Sequence, residues 1–204
     1  MSISSLSYLP ASRGTLLALR NRLQLVKRGK EILEMRRDQL VGEVFRLIEK
    51  LRERGEVERR YVESLAKIAE LRVHRGEQEF RSIIGLVRPP EIEILLISIQ
   101  GVAVPQAKIT EEPDFSLIKD PEYRKALEGL WASLKELIEM SNIEVAIERL
   151  VAQLSYINRV VNSLEKNIIP SLEDAIRYIG EKLDEEMLGE HIRIMKIREA
   201  RGSH

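Results

Sequence analysis

The sequence predicts a mainly α-helical protein: a long antiparallel two-helix coiled coil with a small β-hairpin and short-helix module inserted between the helices. Three observations predict it. From Leu16 to Ile68 the chain alternates three- and four-residue steps: Leu16, Leu19, Leu23, Val26, Lys30, Leu33, Arg37, Leu40, Val44, Leu47, Leu51, Arg54, Glu58, Tyr61, Leu65, Ile68. A second seam, Ile147, Leu150, Leu154, Ile157, Val161, Leu164 and Ile168, is apolar throughout. A 3.5-residue period means helices wound around each other with each seam buried in the other. Finally, a segment of different character separates the seams, so they can meet only by folding back. Both termini then lie at one tip and the insertion at the other.

Residues 1–14 read as a lead-in and residues 15–87 as the first long helix, which Pro89-Pro90 stops. Unbroken, that helix would be about 110 Å long at 1.5 Å per residue. Gly76 and Gly85 are the places where it would break. Residues 88–140 form the inserted module. In it, Ile92, Ile94 and Leu96 alternate with Leu95, Ile97 and Ile99, and Gly101 precedes Val102, Val104 and Ile109, which reads as a β-hairpin. Its apolar faces pack on the chain's own helices or else form a docking surface. Asp120-Pro121 is a cap followed by proline at the first helical position. Ser141 with Glu144 is a capping-box pattern that ends the short helix near Met140 and starts the last long one, residues 141–200. Pro170 and a shifted seam (Ile168, Leu172, Ile176, Ile179, Leu183) predict a bend and a change of supercoil. Residues 201–204 read as a tail of expression-remnant composition.

Composition agrees with helices in solvent. The 204 residues are 32% charged and 4% aromatic, which suits long solvated helices better than a thick core. The hydrophobic share of 44% is too high for a disordered chain. A net charge of zero argues against nucleic acid as the main partner, and the absence of cysteine fits a reducing compartment. The longest apolar run, Ile94–Ile97, is too short to span a bilayer, and the N-terminus lacks a signal-peptide pattern. The expectation is a soluble, intracellular chain.

The residues predict no catalytic, cofactor or metal site. Gly29-Lys30 lacks the upstream glycine and following hydroxyl of a phosphate loop. His74, His191 and His204 are far apart and without ligand spacing. Paired carboxylates on amphipathic helices are solvated faces or i,i+4 partners of basic residues.

Three patches resemble the D subunit of the V-type and A-type rotary ATPases. The first includes Arg28-Gly29, Ile32-Leu33 and Arg36-Arg37-Asp38-Gln39-Leu40, similar to the family's Arg-Gly-His-x-Leu-Leu-Lys-x-Lys-Arg-Asp-x-Leu pattern. The second is the position of the hairpin insertion. The third, and most specific, is Arg159-Val160-Val161-Asn162-Ser163-Leu164-Glu165, Ile169-Pro170-Ser171-Leu172-Glu173 and Ile176-Arg177-Tyr178-Ile179. It looks like the family's Arg-Val-Asn-Ala-Leu-Glu, Ile-Pro-x-Leu-Glu and Ile-x-Tyr-Ile. Lys30, Met35 and Ser163 depart from the pattern, and the Pro10–Arg13 lead-in is looser than the usual Pro-Thr-Arg.

The resemblance implies a non-catalytic central rotor shaft of a V/A-type ATPase or ATP synthase, present in one copy and peripheral to the cell membrane on the cytoplasmic side. It would turn inside a hexamer of catalytic A and B subunits and couple ATP synthesis or hydrolysis to transport of H+ or Na+. The F subunit would clamp its side, and the C (or d) subunit would seat its far end. Arg13, Arg20, Arg22, Lys27, Arg28 and Gly29 are then the hexamer-contact candidates, within a belt that also holds Lys30, Arg36 and Arg37. The belt either meets acidic loops of the hexamer or is an ordinary solvated face. Val41, Phe45 and Ile48 flank the seam with more apolar surface than two helices need. The F subunit, or the chain's own Leu127, Leu130, Trp131 and Leu134, would cover them. The competing reading is a coiled-coil adaptor or tether of an unrelated complex; a helical nucleic-acid binder is remote.

Overall fold

The computed structural model describes residues 10–202, with side chains as far as Arg198. Of the expected lead-in, residues 1–14, the first nine lie outside the described residues and the last two are already helical, and the last two residues of the tail also lie outside the described residues. In chain order the elements are α1 (Arg13–Leu51), α2 (Arg54–Arg75), α3 (Glu77–Ile84), β1 (Glu91–Ile99), β2 (Val102–Glu111), α4 (Pro121–Ser163), a π-helical turn (Leu164–Ile168) and α5 (Ile169–Gly202). The protein is mainly α, with a two-stranded antiparallel hairpin between helical segments. It divides into two compact units. An end unit takes the chain up to Asp38 and from Ser155 onward, and a middle unit is Gln39–Leu154.

In the end unit, α1 begins at Arg13, two residues before the expected start, where Ser12 Oγ caps it by accepting the Thr15 N–H at 3.1 Å. Leu19, Leu172 and Ile179 form the buried cluster, with Leu16, Leu23, Val26, Ala175, Ile176 and Leu183 packed around it. The pairing is antiparallel, because partners descend from α5 into the π turn as they ascend along α1. Arg13 reaches Met187, Lys27 reaches Glu173 at 2.7 Å, and Lys30 reaches Glu165 at 3.0 Å. Ile157 and Val161 are buried on the same side of α4 as the seam requires.

The second seam changes register before Pro170. Ile168, expected in the seam, is exposed, whereas Ile169 is half-buried and Leu172 is 3% exposed. The cause is the π turn. The Ile169 N–H donates to Leu164 O, five residues back, so one extra residue is absorbed. Proline lacks an N–H and crowds the carbonyl four residues before it, and a widened turn accommodates both. The sequence predicts a change of winding at this point but not its form.

The middle unit also pairs antiparallel: Arg54 bonds Glu144, Arg60 meets Glu136 at 2.7 Å, and Arg75 meets Asp120 and Glu122. Its buried residues include Leu40, Val44, Leu47, Val57, Ile68, Tyr123, Trp131, Ala146 and Leu150. Each such large side chain taken out of water contributes about 1.5–3 kcal/mol. Sequence periodicity predicts one helix from 15 to 87; the structure interrupts it twice. At residues 52–53 the hydrogen bonding tightens, with Arg52 N–H to Glu49 O and Glu56 N–H to Glu53 O, both three residues back. The buried stripe then continues as Val57, Tyr61, Ser64, Ile68 and Leu71, while Arg54, Glu58 and Leu65 are exposed. The tightened turn takes polar Arg54 and Glu58 out of the stripe and brings Val57 in, with Ser64 in place of Leu65 farther along.

The second interruption is Gly76, whose φ of 91° and ψ of 158° lie in a region only glycine occupies readily. Arg75 anchors the end of α2 to the start of α4. Asp120 Oδ1 there accepts the N–H groups of Glu122 (2.9 Å) and Tyr123 (3.3 Å), and Pro121 is the first helical residue. Burial raises the Tyr123 phenol above its ordinary value, and Glu79 adds to the effect.

Helix α4 runs through residues 140–141, where the capping-box pattern predicts a boundary. Ser141 does not start a new helix. Its neighbour Asn142 turns its amide to the hairpin: Asn142 Oδ1 accepts the Ala107 N–H at 2.8 Å, and Nδ2 donates to Ala107 O at 2.9 Å. A polar pair in mid-helix is tolerated when its side chain is satisfied elsewhere. The hairpin turns through Gln100 (φ 49°) and Gly101 (φ 75°), a two-residue loop with both φ positive, which matches strand twist. Its Ile97, Ile99 and Val104 line a cleft of 230 Å³ together with Leu47, Ile143 and Ala146. One hairpin face therefore packs on the chain's own helices.

Gly76→Ala should destabilise the chain by about 1–3 kcal/mol through backbone strain, since no atom crowds the new methyl. A thermal melt showing no loss would contradict this. Asn142→Ala should cost about 1–3 kcal/mol by leaving both Ala107 backbone groups unpaired. Amide exchange should then show faster exchange at Ala107 than at residues in the hydrogen-bonded β1–β2 pairs.

Candidate partner-contact surfaces

The basic belt lies on α1 of the end unit, and the structure divides it into engaged and free cations. Lys27 is held by Glu173 and Lys30 by Glu165 and Glu34. The hydrogen bond to Glu165 raises the Lys30 ammonium above its ordinary value, and Glu34 adds to it. Arg37 pairs with its neighbour Asp38, and Arg13 points its guanidinium at the Met187 sulfur, 3.6 Å away. Arg22 is exposed and engaged within the chain. Arg20, Arg28 and Arg36 are exposed and have no ion-pair partner among the described residues. Three cations are thus available to a partner, and they belong to a helix whose opposite side is buried.

Gly29 is half-buried, yet a Cβ there would meet nothing within 4 Å. No close approach among the described residues requires a glycine at this position.

In the middle unit, Val41 is half-buried, Ile48 is 43% exposed and Phe45 is 67% exposed. The chain's own helices leave this stripe open. Leu127, Leu130 and Leu134 are half-buried and Trp131 is buried, so those four serve the interior. Lys135 covers the Trp131 ring at 6.0 Å and also binds Glu112 at 3.0 Å. Beside the stripe, Glu43 is nearly buried and is held by the Arg46 guanidinium at 2.6 Å.

Seam reading alone missed further apolar surface. On α1, Leu17, Leu25, Ile32 and Met35 are exposed; on α5, Met187, Leu188, Ile192, Ile194, Met195 and Ile197 are exposed. Patches of this kind on helices mark protein contacts. The signal was present in the sequence as apolar residues off the seam, with Leu25 and Ile32 one heptad apart.

An open groove of 770 Å³ in the middle unit is lined by Ser64, Lys67, Glu70, Leu71, His74, Arg75, Glu122, Lys125, Ala126, Glu128 and Gly129. Its charges alternate in sign, and Arg75 is committed to Glu79, Asp120 and Glu122. No helix among the described residues is long and apolar enough to cross a membrane.

Comparison with known proteins identifies relatives over nearly the whole chain. The D subunit of the A-type ATP synthase of Methanoregula boonei is 30% identical, covering 94% of this chain and 96% of its own length. That of Pyrococcus horikoshii is 30% identical over 92% of each chain. That of Archaeoglobus fulgidus is 29% identical over 92% of this chain and 94% of its own. A family profile described as the D subunit of ATP synthase matches residues 15–199, spanning the basic belt, the hairpin and the Pro170 segment. With paired helices from both chain ends and a hairpin between them, this chain belongs to the family of ATP synthase D subunits.

Proposed function

We propose that this chain is the non-catalytic central rotor shaft of an A-type ATP synthase or a related V/A-type ATPase. It turns inside the catalytic A/B hexamer and couples ATP synthesis or hydrolysis to transmembrane H+ or Na+ transport. The observation that carries the reading is the family match along residues 15–199, laid on a unit made from both chain ends. A shaft must resist twisting, and two helices with interlocked seams resist it better than one. One chain inside a threefold ring meets three sites differently at each angle, which is what stepwise rotation needs. The complex sits at the cytoplasmic side of the membrane, and this chain is peripheral to it, one copy per hexamer.

In this reading Arg20, Arg28 and Arg36 face acidic loops of the hexamer, and the open methyl-sized space at Gly29 belongs to a hexamer contact. Charges on a rim set the rate and orientation of an encounter more than its bulk affinity, which suits a contact remade at each step. The exposed apolar residues of α1 and α5 supply contact inside the hexamer. Val41, Phe45 and Ile48 take the F subunit, because no element among the described residues covers them. The C (or d) subunit seats the far end, and the bend near Pro170 begins at the π turn. A coiled-coil adaptor of another complex would instead homodimerise and ignore these partners.

Co-expression with A, B and F subunits should yield a complex with one copy of this chain per hexamer; a homodimer without them would reject the rotor reading. The double variant Arg20→Glu, Arg28→Glu should lower coupled turnover roughly tenfold. Its melting should be that of the parent, since neither side chain has an ion-pair partner among the described residues; unchanged turnover in the reconstituted complex would remove the belt from the mechanism. Phe45→Ala should weaken binding of the F subunit by roughly tenfold or more, as loss of an aromatic anchor does. Calorimetric affinity equal to the parent's would place that partner elsewhere.

A further inference from the structure

The hairpin has two long edges, and the structure treats them differently. On β2, the Asn142 amide clamps Ala107, and Pro105 has no N–H to offer. That edge is closed. On β1, no backbone or side-chain partner covers the outer edge among the described residues. The pairing register states which groups are left there. Ala107 bonds outward to Asn142, so its pair with Ile94 is of the non-hydrogen-bonded kind, and the N–H and C=O of Ile94 also point outward. Two residues on, Leu96 lies opposite Pro105 in the same kind of pair, so its backbone groups point outward too.

The side chains agree with the backbone. Ile94 and Leu96 are each 76% exposed, and Ile92 on the same face is 45% exposed. Natural edges are usually guarded by charge, proline or a covering element. Here the charges sit at one end only, on Glu91 and Glu93, and neither carboxylate has an ion-pair partner among the described residues.

We propose that the outer edge of β1 receives an extended segment of another polypeptide by strand addition, one that alternates apolar side chains with lysine or arginine. The backbone of Ile94 and Leu96 supplies the hydrogen bonds, and the face of Ile92, Ile94 and Leu96 takes the apolar side chains. Glu91 and Glu93 select basic residues opposite them. A second copy of β1 fits less well. Antiparallel self-pairing that joins the outward groups sets Glu91 and Glu93 against apolar residues or against Glu93 itself, leaving both carboxylates without a cation. This inference concerns the hairpin alone and does not depend on the rotor reading.

The test is titration of the full chain with the peptide Thr-Val-Thr-Val-Thr-Val-Lys-Val-Lys, followed by amide exchange at single residues. Expected is slowed exchange at Ile94 and Leu96. A peptide with glutamate for both lysines should bind roughly tenfold more weakly, and the double variant Glu91→Lys, Glu93→Lys should reverse that preference. A peptide N-methylated at its valines should give no protection, because the bonds come from backbone. The proposal is overturned if the lysine peptide leaves Ile94 and Leu96 unprotected, if the methylated peptide protects them, or if both charge forms bind alike. A dimer of the chain alone, joined through β1, overturns it as well.

Discussion

Everything in this chain rests on burying a narrow apolar stripe of one helix against a helix that runs the other way. Low aromatic content leaves no thick core to fall back on. Leu40, Leu150, Ile157 and Ile179 are each at most 1% exposed, and they carry the packing that isolated helices of this polarity lack. Because the stripe is narrow, any change in helical winding moves it around the axis. The structure meets that demand locally, with a tightened turn at residues 52–53 and a widened one at Leu164–Ile168. Each restores apolar residues to the buried side within one or two turns.

Those two adjustments mark how far the sequence can be read. Up to Leu51 the heptad steps and the buried side chains coincide, since straight α-helical geometry is all they require. Beyond it, strict periodicity points to Arg54 and Glu58, while the folded chain uses Val57. A three-residue turn and a four-residue turn differ in which carbonyl accepts the N–H, and that choice is made by packing in space. Pro170 announces a disturbance in the sequence, but whether it becomes a kink or a π turn depends on which carbonyls find donors. Ser141 fails as a cap for a related reason: the seam continues through it, and the adjacent amide has a better use on the hairpin. The Asp120-Pro121 start was legible because cap and proline act within their own residues.

The contact surfaces were legible to different degrees. Composition located the basic belt, yet only the fold separates Lys27 and Lys30, which are spoken for by Glu173 and Glu165, from Arg20 and Arg28. The Val41, Phe45, Ile48 stripe was visible as surplus apolar surface, and the structure removes the chain's own short-helix residues as its cover. Hairpin alternation predicted strands but could not say which edge would be closed. That asymmetry comes from an asparagine thirty-five residues away from Ala107 in sequence, together with Pro105.

One unit draws on both ends of the polypeptide, with ion pairs joining residues 146 and 135 positions apart. Closing so long a loop is entropically unfavourable until the intervening segment is compact. During synthesis on the ribosome, Gln39–Leu154 is contiguous and can fold as it emerges. The helix carrying Arg20 and Arg28 must wait for the segment that holds Leu172 and Ile179. A nascent chain therefore passes through a stage in which its middle is formed and its leading end still displays an unmatched leucine row.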